Sequence, residues 1–200
     1  MRRQFDRDAA HYDRAMSLTE RSLGERRARM VGDLRGQVLE VGVGTGATLP
    51  YYRAGVNVVG IDLSPGMLAL GRTRRLEPGT TAELLEMDAR TLRFPDRSFD
   101  AVVFTLCLCS IPDPIRAIRE AIRVARPGAA IRLLEHVRSN IVPVALLQDA
   151  LNLLTVPLQH DHVNRRTLDI AREAGVEDLR EVRWWLGIFS LIEGRAPAGA

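Results

Sequence analysis

Three carboxylates, Glu40, Asp62 and Asp88, each stand at or near the end of a short β-type run, and three glycines, Gly42, Gly44 and Gly46, follow the first of them. Glycines placed after a strand let the backbone come close to a ligand. Two ligand classes use such a loop. For a dinucleotide, Gly42, Gly44 and Ala47 satisfy G-x-G-x-x-G/A, and Asp62 follows at the usual distance of about 20 residues. For S-adenosylmethionine, which has no phosphate, Glu40 ahead of the loop attracts the ammonium, and an expected helix over 46–53 offers its N-terminus to the carboxylate. Asp62 then takes the ribose hydroxyls and Asp88 the adenine amino group. An acid in the position of Glu40 repels a pyrophosphate, which favours the second ligand.

Groups able to take a proton are His11, His136, His160, Asp161 and His162. His136 ends a β-type run on the side where α/β proteins bind ligands, and it is the candidate catalytic residue. The run "HDH" at 160–162 looks like a metal cluster. Three consecutive residues rarely share one ion without further ligands, so it reads as a loop cap. Cys107 and Cys109 read as buried small hydrophobes. Two cysteines in 200 residues suit a reducing, cytoplasmic setting.

The elements that must position these groups alternate. Strand-type runs fall at 37–42, 57–62, 82–88, 99–107 and 129–137, with helical stretches near 46–53, 65–75 and 113–125 between them. The stretch at 113–125 is expected to stop at Pro127-Gly128. The alternation predicts an α/β fold, a mostly parallel Rossmann-like sheet with helices on both faces. Residues 138–160 and 164–175 are helical, and two closing runs, "EVRWWL" and "FSLIEGRA", are too close in sequence for a crossover, so they pair antiparallel.

The chain reads as a single domain of 200 residues, with a helical lid over 1–35 and a helical acceptor-side segment over 138–175. All 28 basic residues are Arg, and the net charge is only +3. None of the Arg runs is interleaved with aromatics, which argues against a nucleic-acid partner. No apolar leader opens the chain, and no run is long enough to span a membrane.

The segments "VLEVGVGTG", "VVGIDLSPGML", "EMDARTLRFPDRSFDAVV" and "IREAIRVARPGA" together resemble the class I S-adenosylmethionine-dependent methyltransferases. The resemblance is closest to the branch with ubiquinone, menaquinone, phospholipid and small-molecule methyltransferases. "LLEHVRS" and "NRRTLDIAREAGV" resemble thiol and phospholipid methyltransferases of that branch. It implies a seven-stranded sheet with its last strand antiparallel and S-adenosylmethionine as cofactor. Carried over by motif, Leu63 and Met67 join Asp62 at the cofactor, Met87 and Ala89 join Asp88, and Thr105 and Leu106 lie beside the sulfonium. Tyr12 matches a lid position that closes over the cofactor. The tetrapeptide typical of nucleobase amino methylases is absent, since the fourth strand ends in "TLCLCSIPD".

The expected activity is methyl transfer to a small, largely apolar or lipid-like acceptor. Residues 141–158 supply the apolar wall or touch a membrane surface; the plainer alternative is a helix whose leucines face the sheet. Two rival classes stand beside this one. A nicotinamide oxidoreductase lacks the Tyr-Lys pair of short-chain dehydrogenases, because there is no Lys. A non-catalytic S-adenosylmethionine-binding module would bind without turnover.

Overall fold

A computed structural model of the chain describes residues 23–159 and 161–199. Seven strands form one sheet in the order β3-β2-β1-β4-β5-β7-β6. They are β1 (Gly36–Val41), β2 (Val56–Asp62), β3 (Thr81–Glu86), β4 (Phe99–Thr105), β5 (Ala125–His136), β6 (Glu177–Trp184) and β7 (Phe189–Arg195). The first five are mutually parallel, and β7 runs antiparallel between β5 and β6. The expected class and the antiparallel closing pair are therefore both present.

The central strands are buried on both faces, as a sheet between two helical layers requires. Leu39, Val102, Phe104, Ile131 and Leu133 join one cluster with helices α3 (Pro114–Val124) and α5 (Thr167–Ala174). Val38, Val58, Val103 and Leu134 join the other, with Leu68 of α2 (Pro65–Gly71). That second cluster also takes Leu23, Met30 and Val31 from α1, a helix whose described part covers 23–31. This part of the expected lid is core, because Leu23, Arg27, Met30 and Val31 recur at helical spacing and are all buried. Fully burying side chains of this size contributes about 1.5–3 kcal/mol each.

The chain order reverses between β1 and β4, so the loops leaving their C-terminal ends diverge and open a crevice. Two local expectations are corrected. No α-helix follows the glycine loop; the segment makes turns and a short 3₁₀ helix at Leu49–Tyr51, with Pro50 in its first turn and no side-chain cap from Thr48. No helix dipole therefore points at the loop. The second correction concerns α3, which starts on an Asp113 cap and Pro114 but ends at Val124, before Pro127-Gly128. Those two residues lie within β5, where Phe99 pairs with Ala125 but Ala101 pairs with Ala130, so the extra residues bulge out of the ladder.

Helix α4 (Val142–Gln159) departs most from expectation. Its apolar side chains point outward: Val142 is 68% exposed, Leu153 77%, and Leu146, Leu147 and Leu154 60% each. Its inner face is Ala145 with polar Gln148, Asn152 and Thr155. Gln148 anchors it. Its Nε2 donates to the carbonyls of Val137 (2.9 Å) and Val163 (2.8 Å), and its Oε1 accepts the Ser139 N–H at 2.7 Å. The Asp149 carboxylate adds a two-armed pair with Arg138. The plainer alternative, leucines packed on the sheet, is therefore wrong. Among the described residues no helix is long and apolar enough to cross a membrane.

Candidate active site

The crevice at the C-terminal ends of β1 to β4 is a cavity of about 850 Å³, open to solvent. Ten of the thirteen residues read as cofactor-binding line it: Gly42 and Gly44 of the loop, Asp62, Leu63 and Met67 after β2, Met87, Asp88 and Ala89 after β3, and Thr105 and Leu106 at the end of β4.

The loop is shaped by its glycines and pinned by acids. Gly42 has φ +70°, and a Cβ there would lie 2.2 Å from the Cys107 Cβ. Only glycine serves where the chain needs that angle and that approach. The Asp62 carboxylate accepts the Gly44 N–H at 3.1 Å through Oδ2 and the Ser64 N–H at 2.9 Å through Oδ1. Arg74 Nε donates to the Thr45 carbonyl at 2.7 Å and closes the far end.

Two of the other predicted residues stand elsewhere, and the third is not described. Gly46 is below the cavity, where a Cβ would crowd Leu49, Arg74 and Gly71 of the α2 layer. Tyr12 lies outside the described residues, as do His11 and His160. Glu40 is only 1% exposed and does not line the cavity. Its Oε2 accepts the Tyr52 hydroxyl at 3.0 Å and its Oε1 accepts the Thr105 hydroxyl at 3.3 Å. Burial pushes its pKa up, opposed by hydroxyl donors and by the Arg27 charge. Thr105, which does line the cavity, is thus the link between the carboxylate and the ligand space.

Asp88 is held by its neighbour. Arg90 Nη2 donates to Oδ2 at 2.7 Å and the Arg90 N–H to Oδ1 at 2.9 Å, and these bonds hold the carboxyl below its usual range. At the opposite wall Leu106 has φ +49°, a strained angle for a branched side chain. It is held there by neighbours. Its N–H donates to the Leu134 carbonyl at 2.8 Å, and the next two N–H groups, of Cys107 and Leu108, both donate to Glu135 Oε1 at 3.0 and 3.1 Å.

Glu135 was not read from the sequence as part of the site. Fully buried, it fixes the turn that carries Cys107, Ser110, Ile111 and Pro112 into the cavity wall. Desolvation raises its pKa to about 7, and among the described residues its second oxygen, Oε2, has no hydrogen-bond partner. The available signal was a lone acid inside the apolar run "IRLLEHV".

His136 is beside the cavity rather than in its lining. It meets two groups that the chain separates widely, Cys109 and Asp161, with one donor atom of each within 4.8 Å of the others. His136 Nε2 is 3.4 Å from Asp161 Oδ1. Burial resists charging the imidazole, but the Cys109 sulfur and Asp161 carboxylate outweigh it and hold its pKa well above the usual range. The His162 N–H donates to the Cys109 carbonyl at 3.1 Å, tying the 161–163 segment to the turn that forms the cavity wall. The "HDH" run is therefore no cluster by itself, and its middle residue joins one made by β5 and the turn after β4. His162 takes no part in that group.

The lining fits S-adenosylmethionine. Met67, Met87 and Ile61 offer an apolar slot, Asp62 and Asp88 offer acceptors for hydroxyl and amino donors, and Thr105 carries the influence of Glu40. Among the described residues Arg90 is the one arginine in the lining, and it is paired to Asp88, so they offer a pyrophosphate no uncommitted cation in that wall.

Comparison with known proteins agrees with this chemistry. Residues 39–133 match the methyltransferase domain family. A phosphatidylethanolamine N-methyltransferase from Cereibacter sphaeroides is 41% identical over 144 residues, covering 71% of each chain. A demethylmenaquinone methyltransferase from Renibacterium salmoninarum is 36% identical over 137 residues, 66% of this chain and 56% of its own length. The solved structure of a Thermotoga maritima SAM-dependent methyltransferase, described as a possible histamine N-methyltransferase, superposes with a TM-score of 0.76 at 23% identity, covering 98% of this chain and 100% of that one.

Proposed function

The chain belongs to the class I S-adenosylmethionine-dependent methyltransferases, and from that premise we propose that it methylates a small, largely apolar or lipid-like acceptor. The cofactor supplies a methyl carbon already activated by its sulfonium. The protein's own task is to hold both partners in line, exclude water and accept a proton where the acceptor carries one. Positioning of this kind is worth about 7–11 kcal/mol and a general base adds about 10²–10⁴-fold.

In this reading Asp62, in the cavity wall at the end of β2, accepts from the ribose hydroxyls. Asp88 accepts the adenine amino group, with Leu63, Met67, Met87 and Ala89 around the ring. The backbone at Gly42 and Gly44 carries the amino-acid end, and Glu40 acts on its ammonium from behind Thr105. Thr105 and Leu106 border the reacting carbon. His136 takes the acceptor's proton, with Asp161 setting the orientation of the imidazole.

The acceptor class rests on one observation, the inverted polarity of α4. Burying Gln148, Asn152 and Thr155 while exposing five leucines is unfavourable in water unless an apolar medium covers the outer face. Among the described residues Asn152 Oδ1 and Thr155 Oγ1 are buried without partners, and the Thr155 carbonyl accepts the Asp161 N–H at 3.5 Å. A polar strip therefore runs under the helix toward the His136 cluster. A lipid-like acceptor fits both sides, with its polar end at that strip and its chains beside the leucines in a membrane surface. The names of the relatives, a phosphatidylethanolamine and a demethylmenaquinone methyltransferase, support the same class.

The test is a screen with labelled S-adenosylmethionine against amino lipids and quinols in vesicles, soluble thiols and phenols, tRNA and protein. Label is expected in the lipid-extractable fraction, at a higher kcat/KM than for any macromolecule. Preferred methylation of tRNA or protein would overturn the proposal.

A further inference from the structure

The group formed by Cys109, His136 and Asp161 has a geometry that its use as a hydrogen-bond relay does not explain. The contact of 3.4 Å between His136 Nε2 and Asp161 Oδ1 is long for a charge-assisted hydrogen bond, which is expected at about 2.7–2.9 Å. Among the described residues no hydrogen bond of ordinary geometry reaches the buried Asp161 Oδ1. Two ligand atoms of one tetrahedral ion, each at about 2.0–2.2 Å from it, are separated by about 3.4 Å. The spacing that is poor for a hydrogen bond is right for two corners of a zinc tetrahedron.

The third corner is near. The Cys109 donor atom lies within 4.8 Å of both others, so closing around an ion requires a shift of about 1 Å. The residues come from three well-fixed places: Cys109 from the turn that Glu135 holds, His136 from the end of β5, and Asp161 from the segment tied to the Cys109 carbonyl. The side chains of His136 and Asp161 are 18% and 28% exposed, so the cluster lies close beneath the surface although Asp161 Oδ1 itself is buried. One sulfur, one imidazole and one carboxylate suit a borderline-soft ion and exclude magnesium and calcium, which take oxygen ligands.

We propose that Cys109, His136 and Asp161 form a three-ligand site for a thiophilic divalent cation of the Zn²⁺ type, with the fourth position open toward the acceptor side. On binding, the Cys109 thiol gives its proton to solvent and the thiolate, the imidazole and the carboxylate each donate one electron pair to the ion. A thiolate and a carboxylate balance the two positive charges. Arg165, half-buried and close enough to influence Cys109, Glu135 and Asp161, adds one positive charge that an ionised Glu135 offsets. An imidazole bound to the ion has no lone pair left for a proton. Occupation of this site and the action of His136 as a base are therefore mutually exclusive, and Zn²⁺ is an inhibitor. Only this inhibition rests on the proposed function; the binding does not.

The experiment titrates the purified full chain with Zn²⁺ against a chromophoric chelator, and with Co²⁺ as a spectroscopic probe. One ion per chain is expected. Co²⁺ should give the intense visible bands of a tetrahedral site together with a thiolate charge-transfer band. C109S should lose that band, and C109S and D161N should each weaken Zn²⁺ binding at least about tenfold, the scale of losing one ligand. Whatever rate C109S retains without the ion should not fall when Zn²⁺ is added, whereas the wild-type rate should. Thermal melts with and without the ion serve as a second readout, because Zn²⁺ should raise Tm in the wild type and not in C109S. Absence of binding, or binding unchanged in both variants, overturns the site. Binding without inhibition overturns the exclusion of the base. Failure to methylate any lipid-like acceptor, with Zn²⁺ bound as described, counts against the proposed function alone.

Discussion

The two ends of the crevice are built on opposite principles. At the β1–β3 end the ligand space is made of backbone, shaped by Gly42 and held by Asp62, whose two oxygens each pin one N–H. Little there can move without strain. At the β5–α4 end the space is made of side chains from distant parts of the chain, and α4 is held by the three hydrogen bonds of Gln148 and the Asp149–Arg138 pair, with its leucines exposed. Residues 39–133, the span that matches the family, cover the first end and stop before α4. The rigid end suits an invariant ligand, and the adaptable end suits whatever acceptor the chain selects.

The sharpest way to break this contrast is at His136. Replacing it by Asn should reduce kcat by about 10²–10⁴-fold for acceptors that lose a proton, while binding of S-adenosylhomocysteine stays unchanged. The wild-type imidazole has its pKa raised, so kcat should climb with pH as it loses its proton, and H136N should lose that climb. Equal pH profiles in the two proteins would remove His136 from the chemistry.

Next in size is Glu135, the acid that supports the wall between the two ends. Its folded pKa of about 7 lies above the ordinary 4.5. The folded state therefore holds the proton more tightly, and stability falls as pH rises from about 4.5 through about 7. The full cost, on the order of 3 kcal/mol, is present above that range. E135Q keeps a carbonyl for the Cys107 and Leu108 N–H groups and has no charge to desolvate. Melts at pH 5 and pH 8 should show the wild type losing stability at the higher pH and E135Q not. A parallel pH response in both would show that Glu135 is not the group that titrates.

A smaller effect is expected at the rigid end. D62A should weaken S-adenosylhomocysteine binding by about 1.5–3 kcal/mol, the scale of hydrogen bonds to a charged group. Calorimetry measures it directly. Unchanged binding with a sharply lowered Tm would make Asp62 a purely structural clasp for the loop.

The same contrast decides what was legible from the sequence. The glycine loop and the acids at strand ends were readable because each sits at a fixed place in a strand-then-loop pattern, although the partners of Asp62 and Glu40 lie far off in the chain. The cluster of Cys109, His136 and Asp161 was not, because three elements must fold before those residues meet. Asp161 was visible as one of several proton acceptors and as the middle of "HDH", and Cys109 only as a small apolar residue. The composition of α4 identified a helix but could not say which face turns inward, since that depends on Gln148 finding Val137 and Val163. The expected helix over 46–53 failed for a local reason, Pro50 and an uncapped start at Thr48.

The central claim is that the acceptor is reached through the outward leucines of α4. It is tested most directly by methyl transfer from labelled S-adenosylmethionine to an amino lipid or quinol in vesicles, comparing the wild type with L146Q and L153Q. Both leucines are exposed, so the variants should melt within about 0.5 kcal/mol of the wild type and bind S-adenosylhomocysteine equally. The account predicts that KM for the vesicle-borne acceptor rises in both variants, and that transfer to a water-soluble acceptor of the same chemical type does not change. Wild-type rates on vesicles from both variants, or an equal loss on soluble and vesicle-borne acceptors, would contradict it.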